Sequence, residues 1–337
     1  MGLTAFVLMG CLVGCSNSTG SQETSKGEET TEAAGASQKV GLIMPTLSNE
    51  FLAATADNIK AGLEEQGLSV DVASSDDDPA KQLQLLENFA NMGTNIIVIM
   101  PMGSSAAEIG STLKSLSDRG IRIVSFGNKV DIGCCEAQIL ADFENLGCET
   151  AMAAAEWIDK TFPDAEDGSI EVALVTTTTS VESKTQSDAL RKVEEYCSKA
   201  KIVESYEKAF TDPITKVQEH MDMMLATHPE VKAVLTYDSQ EALAVDEVIM
   251  RSNQIDKANF GVFASGLEQE IGNRIAASEQ NESVFRYTNY YTGEDGTSYG
   301  SIVQAVKGEL SLDDEGMCTH WEEMRRPPDL PESKWSQ

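Results

Sequence analysis

Asn95–Met100 reads NIIVIM, with Gly93-Thr94 before it and Pro101 after it. An apolar run of this length without alternation has no solvent face, so it reads as a strand covered on both sides, as in a parallel sheet. Upstream, Asp78 precedes Pro79 at the first position of a helix, where a missing N–H costs nothing, and Gly93 ends that helix. Downstream, a helix over 104–118 stopped by Gly120 leads into a second apolar run, Ile121–Phe126. Strand, helix and strand at this spacing make a parallel βαβ unit.

The unit repeats in both directions. Val40–Met44 precedes a helix over 50–66, with Leu52, Ala56, Ile59 and Leu63 on one face, and then Leu68–Val72. Further on, strands at Ile170–Thr176, Ile202–Tyr206, Val231–Thr236, Phe260–Phe263 and Ser283–Tyr287 alternate with helices over 145–161, 182–199, 214–227, 239–252, 267–278 and 293–307. Roughly ten strands fit an α/β fold of two doubly wound parallel sheets; a closed eight-stranded barrel is the competing architecture. From residue 311 the rhythm stops, and 313–337 reads as a tail.

The 337 residues suit two domains, and 41% hydrophobic content excludes wholesale disorder. With 25 Lys+Arg against 55 Asp+Glu the net charge is −30, which argues against nucleic acid as a partner. No internal run is long and apolar enough to span a bilayer. Three histidines, His220, His228 and His320, leave little for zinc sites or histidine-based acid–base chemistry. Neither glycine-rich phosphate cradle nor a G-x-S-x-G elbow is present. Asp76–Asp78 reads as a cap and solvated loop rather than a metal cluster. The expectation is therefore a protein that is not an enzyme, with no catalytic residue, cofactor or metal.

Gly2–Gly14 (GLTAFVLMGCLVG) matches the hydrophobic region of a secretory signal, although no Lys or Arg precedes it. Leu12-Val13-Gly14-Cys15 resembles a bacterial lipobox, so Cys15 is expected to carry lipid and 1–15 to be a lipoprotein signal; Leu8–Cys11 is a weaker second lipobox. Residues 16–38 hold no aromatic or branched aliphatic side chain. They read as a tether with a reach of roughly 25–30 Å. Cys134, Cys135, Cys148, Cys197 and Cys318 remain, an odd, irregular set that is no disulfide framework.

An open parallel sheet binds ligands beyond the carboxyl ends of its strands. That rule selects Thr46, Asn49 and Phe51, then Met100, Asn128, the stretch 177–180, Asp238, Ser265 and Asn289. The set is rich in uncharged hydrogen-bonding groups and suits a neutral polyhydroxylated ligand, with Phe51 available to lie against a sugar ring. Singly, each is equally an ordinary loop or capping residue.

Lys39–Phe51 (KVGLIMPTLSNEF), Asp78–Gln82 (DPAKQ), Asn95–Pro101, Thr227–Val234 (THPEVKAV) and Ala305–Glu309 (AVKGE) resemble the type I periplasmic sugar-binding proteins, the ribose- and galactose-binding group. The resemblance implies two lobes, 39–142 plus 290–312 and 143–289, joined by a three-strand hinge and closing on a sugar. It implies a monomeric extracytoplasmic receptor for ABC permease subunits, and some such proteins also feed chemoreceptors. Membrane contact would be through the lipid anchor alone, on the outer face of the cytoplasmic membrane.

Carried over residue by residue, Asn49 and Phe51 fall at sugar contacts of the first lobe, and Phe126–Lys129 (FGNK) resembles the galactose/glucose version, with Asn128 on sugar hydroxyls. Gln186 falls near a usual arginine, Asp238 replaces an asparagine, Ser265 an aspartate and Met100 a polar residue. Asn289 lies near the amide that ends the hinge strand, with Thr288 and Arg286 as neighbouring alternatives. The expected function is capture of a monosaccharide or similar polyol. Receptors for a quorum-signalling furanose, an inositol or a nucleoside share the fold, and placed aromatics are few for a nucleoside. A sugar-responsive transcription regulator would need a helix-turn-helix where the lipobox stands, and an exported enzyme would need catalytic groups.

Overall fold

The computed structural model describes residues 38–102, 106–130, 133–209, 212–266, 269–292, 299–311, 318–321 and 323–325. The signal, the lipobox with Cys15, and the tether up to residue 37 lie outside the described residues. The first sheet is built from β1 (Lys39–Met44), β2 (Ser69–Ser74), β3 (Ile96–Ile99), β4 (Arg122–Gly127) and β5 (Ala137–Leu140). Helices α1 (Glu50–Glu65), α2 (Pro79–Asn91) and α3 (Ala106–Asp118) connect its first four strands. The second sheet holds β6 (Ile170–Thr176), β7 (Ala200–Glu207), β8 (Val231–Thr236), β9 (Gly261–Ser265) and β10 (Phe285–Thr292). Its helices are α4 (Phe143–Thr161), α5 (Val181–Leu190), α6 (Val193–Tyr196), α7 (Thr215–Thr227), α8 (Ser239–Arg251) and α9 (Gln269–Ser278). The chain then returns to the first lobe with α10 (Gly300–Lys307) and ends its described course in β11 (Cys318–Trp321) and β12 (Glu323–Arg325).

The strand orders are β2-β1-β3-β4-β5-β11 and β7-β6-β8-β9-β10-β12. Every pairing is parallel except that of β12, which runs antiparallel to β10. The chain passes between the sheets three times: after β5, after β10, and between β11 and β12. Two open sheets, not a closed barrel, are the architecture.

The apolar runs explain the layers. In β3 all four residues are buried, because successive side chains enter opposite cores. Ile97 and Ile99 join Ile43 and Ile123 against Leu86 and Phe89 of α2 and Leu113 of α3. Ile96 and Val98 join Leu42 and Val124 against Ile59 and Leu63 of α1 and Ile302 of α10. Each such side chain contributes about 1.5–3 kcal/mol of transfer free energy. The second sheet is likewise sandwiched, with Val234 and Val262 facing α7 and α8 and Leu235 and Phe263 facing α4.

Local signals act as expected where a side chain makes the turn. Asp78 caps α2 by accepting from the N–H groups of Ala80 (2.8 Å) and Lys81 (3.3 Å). Arg122 on β4 forks onto Glu136 at 2.6 and 2.7 Å and donates to the Val306 carbonyl at 2.9 Å, satisfying an end group of α10 and fixing that helix to the sheet.

Three readings are corrected, and a fourth falls partly outside the described residues. The strand β5 was not anticipated; with only four residues, it is defined by its partners β4 and β11. The helix expected over 182–199 breaks at Arg191-Lys192 into α5 and α6. The helix expected from 293 is described only as α10, because 293–298 lie outside the described residues. The stretch read as a tail supplies β11 and β12, which extend both sheets. Among the described residues no helix is long and apolar enough to cross a membrane.

Candidate functional site

In the first lobe the neighbouring strands β1, β3 and β4 present Thr46, Met100 and Asn128 at their carboxyl ends. Thr46 is buried and its Oγ1 accepts from the Ser48 N–H at 3.2 Å, shaping the turn after β1. Asn49 caps α1, its Oδ1 accepting from the Leu52 N–H at 3.0 Å. Phe51 follows on the first turn of α1, but its side chain lies outside the described residues. Met100 packs over Gly127, where a Cβ would lie 2.9 Å from its Cε; at φ +74° that position favours glycine on both counts. Asn128 donates through Nδ2 to the Pro101 carbonyl at 2.6 Å, joining the ends of β3 and β4. Gln82, buried on α2, clamps the same segment: Nε2 donates to the Met100 carbonyl at 3.1 Å and Oε1 accepts from the Met102 N–H at 3.0 Å.

In the second lobe β10, β9, β8 and β6 bring Asn289, Ser265, Asp238 and Thr177 into one row. Asn289 is fully buried; its Nδ2 donates to the Leu146 carbonyl at 3.1 Å and lies 3.4 Å from Thr150 Oγ1. Its Oδ1 has no partner among the described residues. Ser265 Oγ lies 3.2 Å from the same Thr150 hydroxyl. The alternatives to Asn289 are occupied elsewhere. Arg286 donates to the carbonyls of Phe260, Ser278 and Lys257, and Thr288 to that of Gly266. Gln186 is buried on α5 and donates through Nε2 to the Tyr237 carbonyl at 2.8 Å, so it ties α5 to the end of β8. Ser187 likewise holds Thr177 through both its N–H and its carbonyl.

Asp238 caps α8, accepting from the Glu241 N–H at 2.9 Å. Burial raises its carboxyl above the usual range, partly countered by that N–H and by Lys208. Glu241 is fully buried, and burial first, then the Asp238 charge, push its carboxyl well above normal. Its Oε2 lacks a donor among the described residues. Burial, then the carboxyls of Asp238, Glu241 and Glu182, raise the Tyr237 phenol. The second-lobe half of the site is thus rich in acceptors, which suits a ligand that offers hydroxyl donors.

Thr150, Glu241 and Lys208 were not found by sequence reasoning. Thr150 sits on the buried face of α4, and nothing local signals that Ser265 and Asn289 will meet it. His220 stacks on Tyr206, the penultimate residue of β7, with ring centroids 4.2 Å apart, and His228 ends α7. Two surface cavities of about 370 and 630 Å³ lie beside Trp157 and Phe263 and beside Val72 and Phe89, and none of the nine expected residues lines them.

Residues 40–309 match the family model of the periplasmic binding protein domain. The chain belongs to this family. Its family is one of binding proteins, not enzymes. The ribose import binding protein RbsB of Bacillus subtilis is 24% identical over 215 residues, 64% of this chain, and the match spans about two thirds (66%) of that relative's length. Among solved structures, the 5-methylthioribose transporter solute binding protein from Thermotoga lettingae TMO, in complex with 5-methylthioribose, is 18% identical. It has a TM-score of 0.68 and covers 86% of this chain and 87% of its own. The Caulobacter myo-inositol binding protein, bound to myo-inositol, is 17% identical with a TM-score of 0.66, covering 88% and 95%. These likenesses carry the two-lobe fold.

Proposed function

We propose that this protein is an extracytoplasmic solute-binding protein that captures a neutral monosaccharide or polyol between its lobes and delivers it to an ABC import permease by hinge closure. The observation that carries this reading is the row of acceptor and hydroxyl groups at the strand ends of the second lobe, Asn289, Ser265 and Asp238, with Thr150 of α4 against the first two. Among the described residues, Lys208 is the cation that acts on Asp238 and Glu241. Thr46, Asn49, Phe51, Met100 and Asn128 supply the opposing wall, and ligand hydroxyls bridging both walls stabilise the closed form by their differential affinity. The protein acts as a monomer, and Cys15 carries the lipid that holds it at the membrane. Its relatives' names, which include ribose, 5-methylthioribose and myo-inositol, support the ligand class.

Thermal melting with D-ribose, 5-methylthioribose and myo-inositol tests the reading. A ligand at about 100-fold its Kd adds roughly 2.7 kcal/mol, a rise of about 5–10 °C. Asp238→Asn keeps the cap and should weaken the shift, whereas Asp238→Ala also loses about 0.5–2 kcal/mol of basal stability with the cap. No shift with these or any other sugar or polyol would refute the ligand class. Separately, Cys15→Ser is expected to release the protein from the membrane fraction; retention there would refute the anchor.

A further inference from the structure

We propose that Glu182 is the residue by which the second lobe clasps the first. Glu182 lies on the first turn of α5, two positions past the cap Ser180. Its Oε1 accepts from the backbone N–H of Lys129 at 3.3 Å, across 53 residues of sequence and from the segment that follows β4 in the other lobe. Both sides of this contact are set in advance. On the second lobe, Ser180 and Ser183 hold the turn through a reciprocal capping box, with bonds of 3.1 and 2.9 Å. On the first, Asn128 fixes the residue before Lys129 through its side chain on Pro101 and its N–H on the Phe126 carbonyl at 3.0 Å.

The second oxygen of Glu182 makes the clasp releasable. Oε2 is buried and has no hydrogen-bond partner among the described residues. A desolvated carboxylate oxygen without a donor opposes the gain made at Oε1, so the closed form is held without being locked. Opening returns water to that oxygen and removes the cost. The clasp presupposes hinge closure but not a sugar, and it is tested without ligand.

The test measures lobe separation in the ligand-free full chain by single-molecule energy transfer. Fluorophores are introduced through unnatural amino acids at the exposed positions Met92 and Met223, 56% and 62% accessible. Glu182→Ala should shift the closed-to-open ratio toward open by roughly 2- to 10-fold, as for loss of one net hydrogen bond. Glu182→Gln keeps an oxygen for the Lys129 N–H and removes a desolvated charge, so it should be at least as closed as the parent. Far-UV circular dichroism verifies that both variants fold. An unchanged distribution in Glu182→Ala, or a Glu182→Gln as open as Glu182→Ala, overturns the clasp. If every sugar fails to bind while Glu182→Ala opens, the ligand reading falls and the clasp stands.

Discussion

Asp246→Ala is expected to lower the melting temperature of the second lobe by on the order of 10 °C. Asp246 is fully buried in the middle of α8 and serves three donors. Arg274 Nη1 on α9 donates to Oδ2 at 2.8 Å, while the Ser283 hydroxyl (2.8 Å) and the Val284 N–H (2.6 Å) donate to Oδ1. One carboxylate therefore joins α8, α9 and the entry to β10. Alanine leaves the buried Val284 N–H unpaired, takes the acceptor from the Ser283 hydroxyl, which keeps only the Phe285 N–H, and leaves Arg274 with Glu270 alone. Each buried donor left without its acceptor costs about 1–3 kcal/mol, at about 2–4 °C per kcal/mol for a lobe of this size. Asp246→Asn retains an acceptor for Val284 and should lose less. Calorimetry decides the matter: a change below about 0.5 kcal/mol in the alanine variant would mean that the network contributes nothing beyond an ordinary surface pair.

Gly147→Ala should be almost as damaging, by crowding rather than loss. A Cβ there would lie 2.3 Å from the Gln186 carbonyl oxygen and 2.6 Å from the Ala189 Cβ. A backbone atom cannot swing aside like a flexible side chain, so α4 and α5 must separate. Overpacking of this kind costs about 1–3 kcal/mol or more. The displaced segment carries Gln186, whose bond to the Tyr237 carbonyl aligns α5 with the end of β8. The variant should therefore melt lower and also bind a responding sugar more weakly. A parent-like melt with a parent-like titration would show that the two helices tolerate a wider spacing than their contact implies.

The parallel sheets were legible because their signals are local. NIIVIM at 95–100 has only one comfortable environment, and Asp78-Pro79 makes its own cap. The short strands β5, β11 and β12 were not legible, since three or four residues become a strand only by lying beside a partner far away in sequence. The candidate site divided in the same way. The strand-end rule selected Asn289 and Ser265, but Thr150, which contacts both, entered from a helix more than one hundred residues earlier. Asn128 and Gln186 were picked out for a ligand, and the structure shows that each also holds its own lobe together through a backbone carbonyl. Hydrogen-bonding side chains advertise their chemistry in a sequence, but not which partner claims them.

The triple passage of the chain has a consequence for biosynthesis. Ala137 on β5 waits for Cys318, and Tyr290 on β10 waits for Arg325, so neither sheet has its outer strand until the ribosome has delivered those late residues. A nascent polypeptide arrested before residue 318 would carry both β5 and β10 as open edges, each a template for pairing with a stranger. Such long-range closure slows folding.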